Sequence, residues 1–120
     1  MAKVLIVDDS AMSRRILRRI LEAAGHDVAE AEDGMVAIEK YYLDRPDIVL
    51  LDLIMKGMFG MEVLQRIRQL DDKARVVVAT ADIQISTRTM TEAEGAMGFV
   101  TKPFVESEII AAMDSALRER

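Results

Sequence analysis

Three runs of Val, Ile, Leu and Ala recur in this chain, and an aspartate follows closely after each of them. The runs are VLIV, IVLL and VVVA, which begin at residues 4, 48 and 76, and the aspartates are Asp8, Asp52 and Asp82. Uninterrupted apolar runs of this length are typical of strands that are covered on both faces, as in a parallel sheet. The runs therefore predict a buried sheet whose strands end beside carboxylates.

Segments with helical spacing separate the runs, so that strand and helix alternate five times. The predicted strands are KVLIV, DVAEA, DIVLL, RVVVA and MGFV, which begin at residues 3, 27, 47, 75 and 97. The predicted helices run from the capping residue Ser10 to Gly25 and over residues 34–44, 60–70, 83–95 and 105–119. Crossover connections of this length place the strands parallel, which predicts an α/β fold. We expect DVAEA at a sheet edge and the Ser- and Thr-rich fourth helix to be the least rigid.

The first helix is predicted to be amphipathic. Its apolar stripe consists of Met12, Ile16, Leu17, Ile20, Leu21 and Ala24. The arginines of the segment SRRILRR fall off this stripe. We expect them to form the solvent-exposed face of the helix.

Composition narrows the class of protein. A chain of 120 residues with 51% hydrophobic and 31% charged residues is typical of one soluble globular domain. No apolar segment approaches the roughly 20 residues of a membrane span, so we expect a cytoplasmic protein. A net charge of −5 argues against direct nucleic-acid binding. Because the chain has no cysteine and one histidine, any metal must be held by oxygen.

The carboxyl ends of parallel strands lie along one sheet edge, where open α/β sheets bind their ligands. Asp8 and Asp9 follow the first strand, Asp52 follows the third, Thr80 closes the fourth and Lys102 follows the fifth. Clustered carboxylates repel one another by roughly 1 to 4 kcal/mol per pair, so the three aspartates require cations. Lys102 supplies one charge, and an oxygen-only site suits Mg²⁺. A carboxylate beside Mg²⁺ and a lysine can attack an activated phosphoryl group.

Taken together, these residues resemble those of the response regulator receiver domains of two-component systems, which are CheY-like in size. The resemblance covers the whole chain and rests on the motifs VDDS, DG, PDIVLLDLIM, TAD, GAMGF and KPF, which occur in this order. It implies a flavodoxin-like three-layer sandwich with five helices and a parallel sheet of strand order 2-1-3-4-5. Residues 1–120 would then form one receiver domain without an output domain, acting on another protein.

The resemblance also implies roles for the acidic residues. Asp52 would be the phosphoacceptor, supplied by the phosphohistidine of a sensor histidine kinase or phosphotransfer protein, or by a small phosphodonor. Asp9 and Asp52 would ligate Mg²⁺ directly, Asp8 would do so through water, and the backbone carbonyl of Ile54 would complete the protein ligands.

The remaining site residues would stabilise the phosphoryl group and report its presence. Lys102 would pair with the phosphoryl oxygens, and Thr80 would hydrogen-bond to them. Phe99 stands at the aromatic switch position of the family, and the peptide bond before Pro103 is often cis there. We expect phosphorylation to change the face formed by the fourth helix, the fifth strand and the fifth helix, which would meet a downstream target protein.

Two residues depart from the family pattern. Lys56 stands where the family usually has Pro, and Phe59 stands where it usually has Asp. Lys56 should loosen the turn and add positive charge near the phosphate. Phe59 should remove a helix cap worth about 1 kcal/mol and contact a partner instead. Ile54 cannot orient an attacking water, so we also expect slow loss of phosphate.

Other functions fit less well. A phosphohydrolase of the haloacid dehalogenase type needs a second Asp two residues after the nucleophile, where Ile54 stands. A flavodoxin-like electron carrier needs a loop of Ser, Thr and Gly after the first strand, where DDSAMSR is acidic. A receiver fold that works as an interaction module without phosphorylation stays open, and the unusual Lys56 and Phe59 favour it.

Overall fold

Strand and helix alternate through the computed structural model, which describes residues 1–119. The strands are β1 (Lys3–Val7), β2 (Asp27–Ala31), β3 (Ile48–Leu51), β4 (Val76–Thr80) and β5 (Gly98–Thr101). The helices are α1 (Ala11–Ala23), α2 (Gly34–Asp44), α3 (Gly60–Leu70), α4 (Ile85–Ala93) and α5 (Glu106–Arg118). All ten predicted elements are present. The largest boundary error is at α4, which is two residues shorter at each end than predicted.

The five strands form one parallel sheet in the order β2-β1-β3-β4-β5. The predicted flavodoxin-like order is therefore confirmed, and DVAEA lies at an edge as predicted. In the register of the sheet, Val7 of β1 lies opposite Leu51 of β3 and Ala31 of β2. The ends of β1 and β3 are thus level, and the residues that follow them meet at the same point of the carboxyl edge.

Alternate residues of the sheet enter two apolar layers. On β1, Val4 and Ile6 pack in one layer with side chains of α1 and α5, whereas Leu5 and Val7 pack in the other with side chains of α2 and α3. Burial on both faces explains why the run VLIV contains no polar residue. Within residues 1–119, α4 contributes no side chain to either layer, and no helix is long and apolar enough to span a membrane.

The prediction for α1 was only partly right. The buried residues of the helix are Leu17, Ile20 and Leu21, whereas Met12 is 69% exposed and Ile16 is 40% exposed. The predicted apolar stripe fails in the first turns because α1 begins past the end of β1, beyond the apolar layer that covers the sheet. Ser10 caps the helix as predicted, since its side-chain oxygen accepts a hydrogen bond from a backbone N–H.

The arginine prediction for α1 also needs correction. Arg15 and Arg19 are exposed, but Arg14 and Arg18 are partly buried and both bind Glu30 of β2. Because Glu30 lies on the same face of the edge strand as Val28, it points towards α1. Two of the four arginines are therefore part of the packing between helix and sheet.

The starts of α3 and α4 lack the side-chain cap that α1 has. Phe59 and Gln84 occupy the two N-cap positions, and neither makes a side-chain hydrogen bond there. This confirms the expectation that Phe59 removes a cap from α3. Asp82 lies two residues before the N-cap position of α4 and accepts hydrogen bonds from the backbone N–H of Gln84 and the hydroxyl of Thr87.

Candidate functional site

Three aspartates meet at the carboxyl edge of the sheet, where the sequence predicted them. Asp8 and Asp9 follow β1, and Asp52 follows the neighbouring strand β3. Each offers a carboxylate oxygen, and these oxygens all lie within 4.8 Å of one another. The edge therefore concentrates negative charge in one small pocket.

Asp8 forms the buried floor of the pocket, with 1% of its surface exposed. Its Oδ1 accepts a hydrogen bond from the backbone N–H of Ser10 at 2.8 Å, but its Oδ2 has no hydrogen-bond donor among the described residues. Lys102 Nζ lies 2.9 Å from that Oδ2, close enough for an ion pair but not aligned as a hydrogen bond. Burial, with a smaller contribution from the charge of Asp52, raises the pKa of the Asp8 carboxyl.

Asp52 is also buried, with 3% of its surface exposed, and its two oxygens have different partners. Oδ1 accepts a hydrogen bond from the backbone N–H of Ile54 at 3.1 Å, and Oδ2 accepts one from Lys102 Nζ at 3.1 Å. The backbone N–H of Asp52 donates to the carbonyl of Val7, which ties β3 to β1 at the pocket. The carboxylate is thus held in one orientation from both sides.

Lys102 reaches the two buried carboxylates from β5. Its backbone N–H donates to the carbonyl of Thr80 at 2.9 Å, and the peptide bond to Pro103 is cis. Burial would lower the pKa of the ammonium group, but the carboxylates of Asp8 and Asp52 outweigh burial and raise it. Lys102 therefore carries its positive charge within the pocket.

Asp9 is the exposed member of the cluster, and the β3–α3 loop supplies its partner. Its Oδ2 accepts a hydrogen bond from the backbone N–H of Lys56 at 3.2 Å. The loop then turns at Gly57, which has a left-handed φ of +84°. At its end, Gly60 lies so close to the backbone of Asp52 that a Cβ atom would overlap it. Glycine at position 60 thus lets α3 start directly against the strand end that carries Asp52.

The remaining predicted residues lie outside the cluster of carboxylates. Thr80 is fully buried at the end of β4, and its Oγ1 accepts a hydrogen bond from the backbone N–H of Asp82 at 3.3 Å. Phe99 lies half-buried on β5, with the guanidinium of Arg88 5.6 Å from its ring centroid. The side chain of Ile54 is exposed beside the pocket.

Two residues that the sequence did not mark as site residues, Arg14 and Glu30, lie directly behind the pocket. Arg14 Nη1 donates to the backbone carbonyl of Asp8 at 2.7 Å, and Arg14 Nε donates to Glu30 Oε1 at 2.8 Å. One signal was present, because the alternation of DVAEA places Glu30 on the same face as the apolar Val28. A carboxylate at a half-buried position requires a partner.

The donor set fits a hard divalent cation. Three carboxylates and one ammonium leave a net charge of −2, and all the protein ligands are oxygen atoms. The buried Oδ2 of Asp8, whose neighbour is the ammonium of Lys102, can also accept a hydrogen bond from a water bound to a cation. The chemistry of the residues therefore agrees with a Mg²⁺ site, as predicted.

The open parallel sheet places a buried carboxylate, an adjacent lysine and an acid cluster at its carboxyl edge, where sheets of this kind bind their ligands. Residues 4–114 match the response regulator receiver domain family, and the chain belongs to this family of two-component signalling proteins, which are phosphoacceptors rather than classical enzymes.

Similar proteins support this membership along nearly the whole chain. The chain is 38% identical to chemotaxis protein CheY of Thermotoga maritima over 113 residues, which cover 93% of this chain and 94% of that protein. It is also 38% identical to chemotaxis protein CheY of Bacillus subtilis over 116 residues, 96% of this chain and 97% of that protein. The structure of chemotaxis protein CheY4 of Vibrio cholerae superimposes with a TM-score of 0.90 at 30% identity, covering 95% of this chain and 97% of that one.

Proposed function

We propose that Asp52 accepts a phosphoryl group from the phosphohistidine of a sensor histidine kinase or phosphotransfer protein. A carboxylate oxygen of Asp52 attacks phosphorus, the bond between phosphorus and the imidazole nitrogen breaks, and that nitrogen keeps the electron pair. The observation that carries the proposal is the double anchoring of the Asp52 carboxylate, by Lys102 on one oxygen and the Ile54 N–H on the other. This orients a buried nucleophile towards the mouth of the acid cluster.

Asp9 and Asp52, with the backbone carbonyl of Ile54, would hold Mg²⁺, and Asp8 would hold it through water. The ion would offset negative charge on the transferring phosphoryl oxygens. Lys102 supplies the second positive charge, and its link to the carbonyl of Thr80 keeps β4 and β5 level at the site. Replacing Lys102 would leave the carboxylates of Asp8 and Asp52 without their ion-pair partner.

The test is incubation with Mg²⁺ and acetyl phosphate, followed by intact-mass measurement. The expected result is a gain of one phosphoryl group that requires Mg²⁺ and is abolished by chelation. Asp52→Asn is the matched control, because it keeps the size of the side chain and removes its nucleophilic oxygen. An unlabelled wild-type chain would overturn the proposal and favour the alternative of a receiver fold that binds its partner without phosphorylation.

The proposal includes a switch that reaches the face formed by α4, β5 and α5, where a downstream target protein would bind. Moving a two-state equilibrium from 1:99 to 99:1 takes about 5.5 kcal/mol. Charge-assisted hydrogen bonds from Lys102 and Thr80 to the phosphoryl group, at about 1.5 to 3 kcal/mol each, are of that order. Thr80 would move towards the phosphoryl group, and Phe99 would turn inward to fill the space. Phe99 is half-buried, so an inward turn would bury more of its ring.

Thr80→Ala tests the switch separately from the chemistry. Labelling of Asp52 should be largely retained, because the nucleophile and Lys102 are unchanged. Amide chemical-shift changes in α4, β5 and α5 on adding beryllofluoride and Mg²⁺ should be strongly reduced. Wild-type shift changes in this variant would rule out Thr80 as the coupling residue.

The phosphorylated state should be long-lived, because the exposed side chain of Ile54 is apolar and cannot orient an attacking water. Ile54→Asn should shorten the lifetime of the acyl phosphate, measured as decay of the phosphorylated mass. An unchanged lifetime would contradict this part of the proposal. Direct nucleic-acid and membrane contacts form no part of the proposed function, and the cytoplasmic location expected from the sequence remains part of it.

A further inference from the structure

We propose, on the basis of the function proposed above, that Arg14 is a positioning residue for the metal-ligating turn between β1 and α1. Its guanidinium holds the peptide that joins Asp8 to Asp9, and so aims Asp9 into the acid cluster. Glu30 of the edge strand β2 holds the guanidinium in place. Through these contacts β2, which contributes no carboxylate to the pocket, helps to set the geometry of the cation site.

Arg14 makes the two contacts that this role requires, one at each end of its planar group. Nη1 donates to the carbonyl oxygen of Asp8 at 2.7 Å, and Nε donates to Glu30 Oε1 at 2.8 Å. The side chain of Arg14 is only 16% exposed and that of Glu30 only 28% exposed, so both contacts lie largely out of solvent. A guanidinium offers donors in fixed directions within one plane, so the position of Glu30 sets the direction in which Nη1 points.

The carbonyl of Asp8 belongs to the peptide unit that leads into Asp9. On the other side of Asp8, its backbone N–H donates to the carbonyl of Ala31 at 3.1 Å. The backbone N–H of Asp8 therefore binds β2 directly. Its carbonyl is connected to β2 indirectly, because Arg14 binds both this carbonyl and Glu30. Because a peptide unit is planar, holding this carbonyl also sets where the Cα atom of Asp9 lies and how its side chain leaves the backbone.

Asp9 depends on this support more than the other two aspartates do. Asp8 and Asp52 are buried and each lies within ion-pair distance of Lys102, whereas Asp9 is exposed and its described partner is the backbone N–H of Lys56. That partner belongs to a loop with a left-handed turn at Gly57. The rigid support for Asp9 therefore comes from the backbone that precedes it.

Helix stability does not account for an arginine at this place. Position 14 lies close to the N-terminus of α1, where the helix dipole disfavours positive charge, and the first turn contains no acidic residue to offset it. One turn further along, Arg18 Nε makes the comparable bond to Glu30 Oε2 at 2.6 Å, but its Nη1 donates to Glu22 Oε2 at 2.9 Å instead of to Asp8. Arg18 thus provides a matched control on the same helix and the same carboxylate.

The experiment compares Mg²⁺ binding of the wild-type chain, Arg14→Gln, Arg14→Lys and Arg18→Gln by titration calorimetry. Loss of a residue that orients a metal ligand typically weakens metal affinity by about 10- to 100-fold, and we expect a tenfold rise in Kd for Arg14→Gln. Arg14→Lys keeps the charge but lacks the planar pair of donors, so it should be weakened nearly as much. Arg18→Gln should stay within about twofold of the wild type, since it leaves the Asp8 carbonyl untouched.

A second readout uses the protein without metal. The amide signals of Asp8 and Asp9 should shift in both Arg14 variants and stay in place in Arg18→Gln. Thermal unfolding should show similar losses of stability for Arg14→Gln and Arg18→Gln, because each removes one ion pair to Glu30 and one further hydrogen bond, to the Asp8 carbonyl or to Glu22 respectively. Acetyl phosphate labelling of Arg14→Gln should recover at saturating Mg²⁺, as expected when the ligand geometry is weakened and the nucleophile is intact.

The outcomes separate this inference from the proposed function. If the wild-type chain binds Mg²⁺ and is labelled while Arg14→Gln binds Mg²⁺ as tightly as Arg18→Gln, the positioning role is overturned and the function stands. Wild-type affinity in Arg14→Lys would also overturn it, because charge alone would then be sufficient. A wild-type chain that binds no Mg²⁺ would overturn the proposed function, and the positioning role with it.

Discussion

The helices α1 and α4 both connect strands of the same sheet, but they are held against it in different ways. α1 buries Leu17, Ile20 and Leu21, starts at a side-chain cap and is paired to β2 through Glu30. α4 is four residues shorter, starts at Gln84 without a side-chain cap and buries Thr91, whose hydroxyl bonds within the helix itself. Ile83, Ile85 and Met90 expose apolar surface in and beside α4.

The difference distinguishes a rigid part of the protein, at α1, from a part that can move, at α4. The turn before α1 carries two of the three aspartates, and a cation site needs ligands that stay in place. α4 follows the strand that ends in Thr80, and the proposed switch needs an element that moves at small cost. A receiver domain that was equally rigid throughout would bind its phosphoryl group well, but its partner-binding surface would change little on phosphorylation. The uneven anchoring of α1 and α4 is therefore what the proposed function requires.

The largest expected effect comes from truncating one apolar side chain in each helix in turn. Leu21 of α1 is fully buried, so Leu21→Ala should lower the free energy of unfolding by about 2 to 5 kcal/mol. Met90 of α4 is mostly exposed, so Met90→Ala should change it by no more than about 0.5 kcal/mol. Urea unfolding measures both values, provided that the slope of the transition is the same in the variants. Equal losses would show that α4 is anchored as firmly as α1, and the comparison would fail.

The sequence predicted the anchored parts of this molecule better than it predicted the contacts between them. Asp8, Asp9, Asp52 and Lys102 could be placed together because each follows a strand, and parallel strands end on one edge whatever their side chains do. Periodicity located α1 but overestimated its buried face, since a helical pattern does not show where the sheet beneath it stops. Arg14 was assigned to solvent because its function depends on the carbonyl of Asp8, and a backbone carbonyl has no sequence signature.

The second prediction uses pH to test the anchoring of α1. Hydrogen bonds from Arg18 and Arg14 lower the pKa of the Glu30 carboxyl, with burial opposing them. A lowered pKa in the folded state stabilises the fold above the unfolded pKa of about 4.3, and this contribution disappears as the pH falls through the folded value. At pH 7, Glu30→Gln should cost about 1 to 2 kcal/mol, since Arg14 and Arg18 then face a neutral amide in place of a carboxylate.

The pH dependence should distinguish this pair from other carboxylates. The difference in unfolding free energy between the wild type and Glu30→Gln should be constant well above the unfolded pKa of about 4.3, shrink as the pH falls below it, and be lost once the pH has passed the lowered pKa of the folded state. Urea unfolding at a series of pH values measures it. A difference that grew as the pH fell would have the wrong sign for a lowered pKa, and the ion pairs to Arg14 and Arg18 would then not anchor α1.

The smallest expected effect comes from exchanging the caps of the two helices. Ser10→Ala removes the side-chain oxygen that accepts the N–H of Ser13, and should destabilise the protein by about 1 kcal/mol. Gln84 already has the extended backbone of an N-cap residue, so Gln84→Ser should supply the missing bond and stabilise the protein by about 0.5 to 1 kcal/mol. Urea unfolding again gives both values.

The cap exchange also connects stability to switching. If the weak start of α4 is what lets it move, Gln84→Ser should reduce the amide shift changes in α4 on adding beryllofluoride and Mg²⁺, while labelling of Asp52 by acetyl phosphate stays unchanged. If the new cap stabilises one of two states by about 0.5 to 1 kcal/mol relative to the other, the ratio of their populations changes by about two- to fivefold. This shift is small but measurable. Full wild-type shift changes in a stabilised Gln84→Ser variant would place the bistable element elsewhere, in β5 or α5. Reduced amide shift changes would show that the weaker anchoring of α4, compared with α1, contributes to the switch.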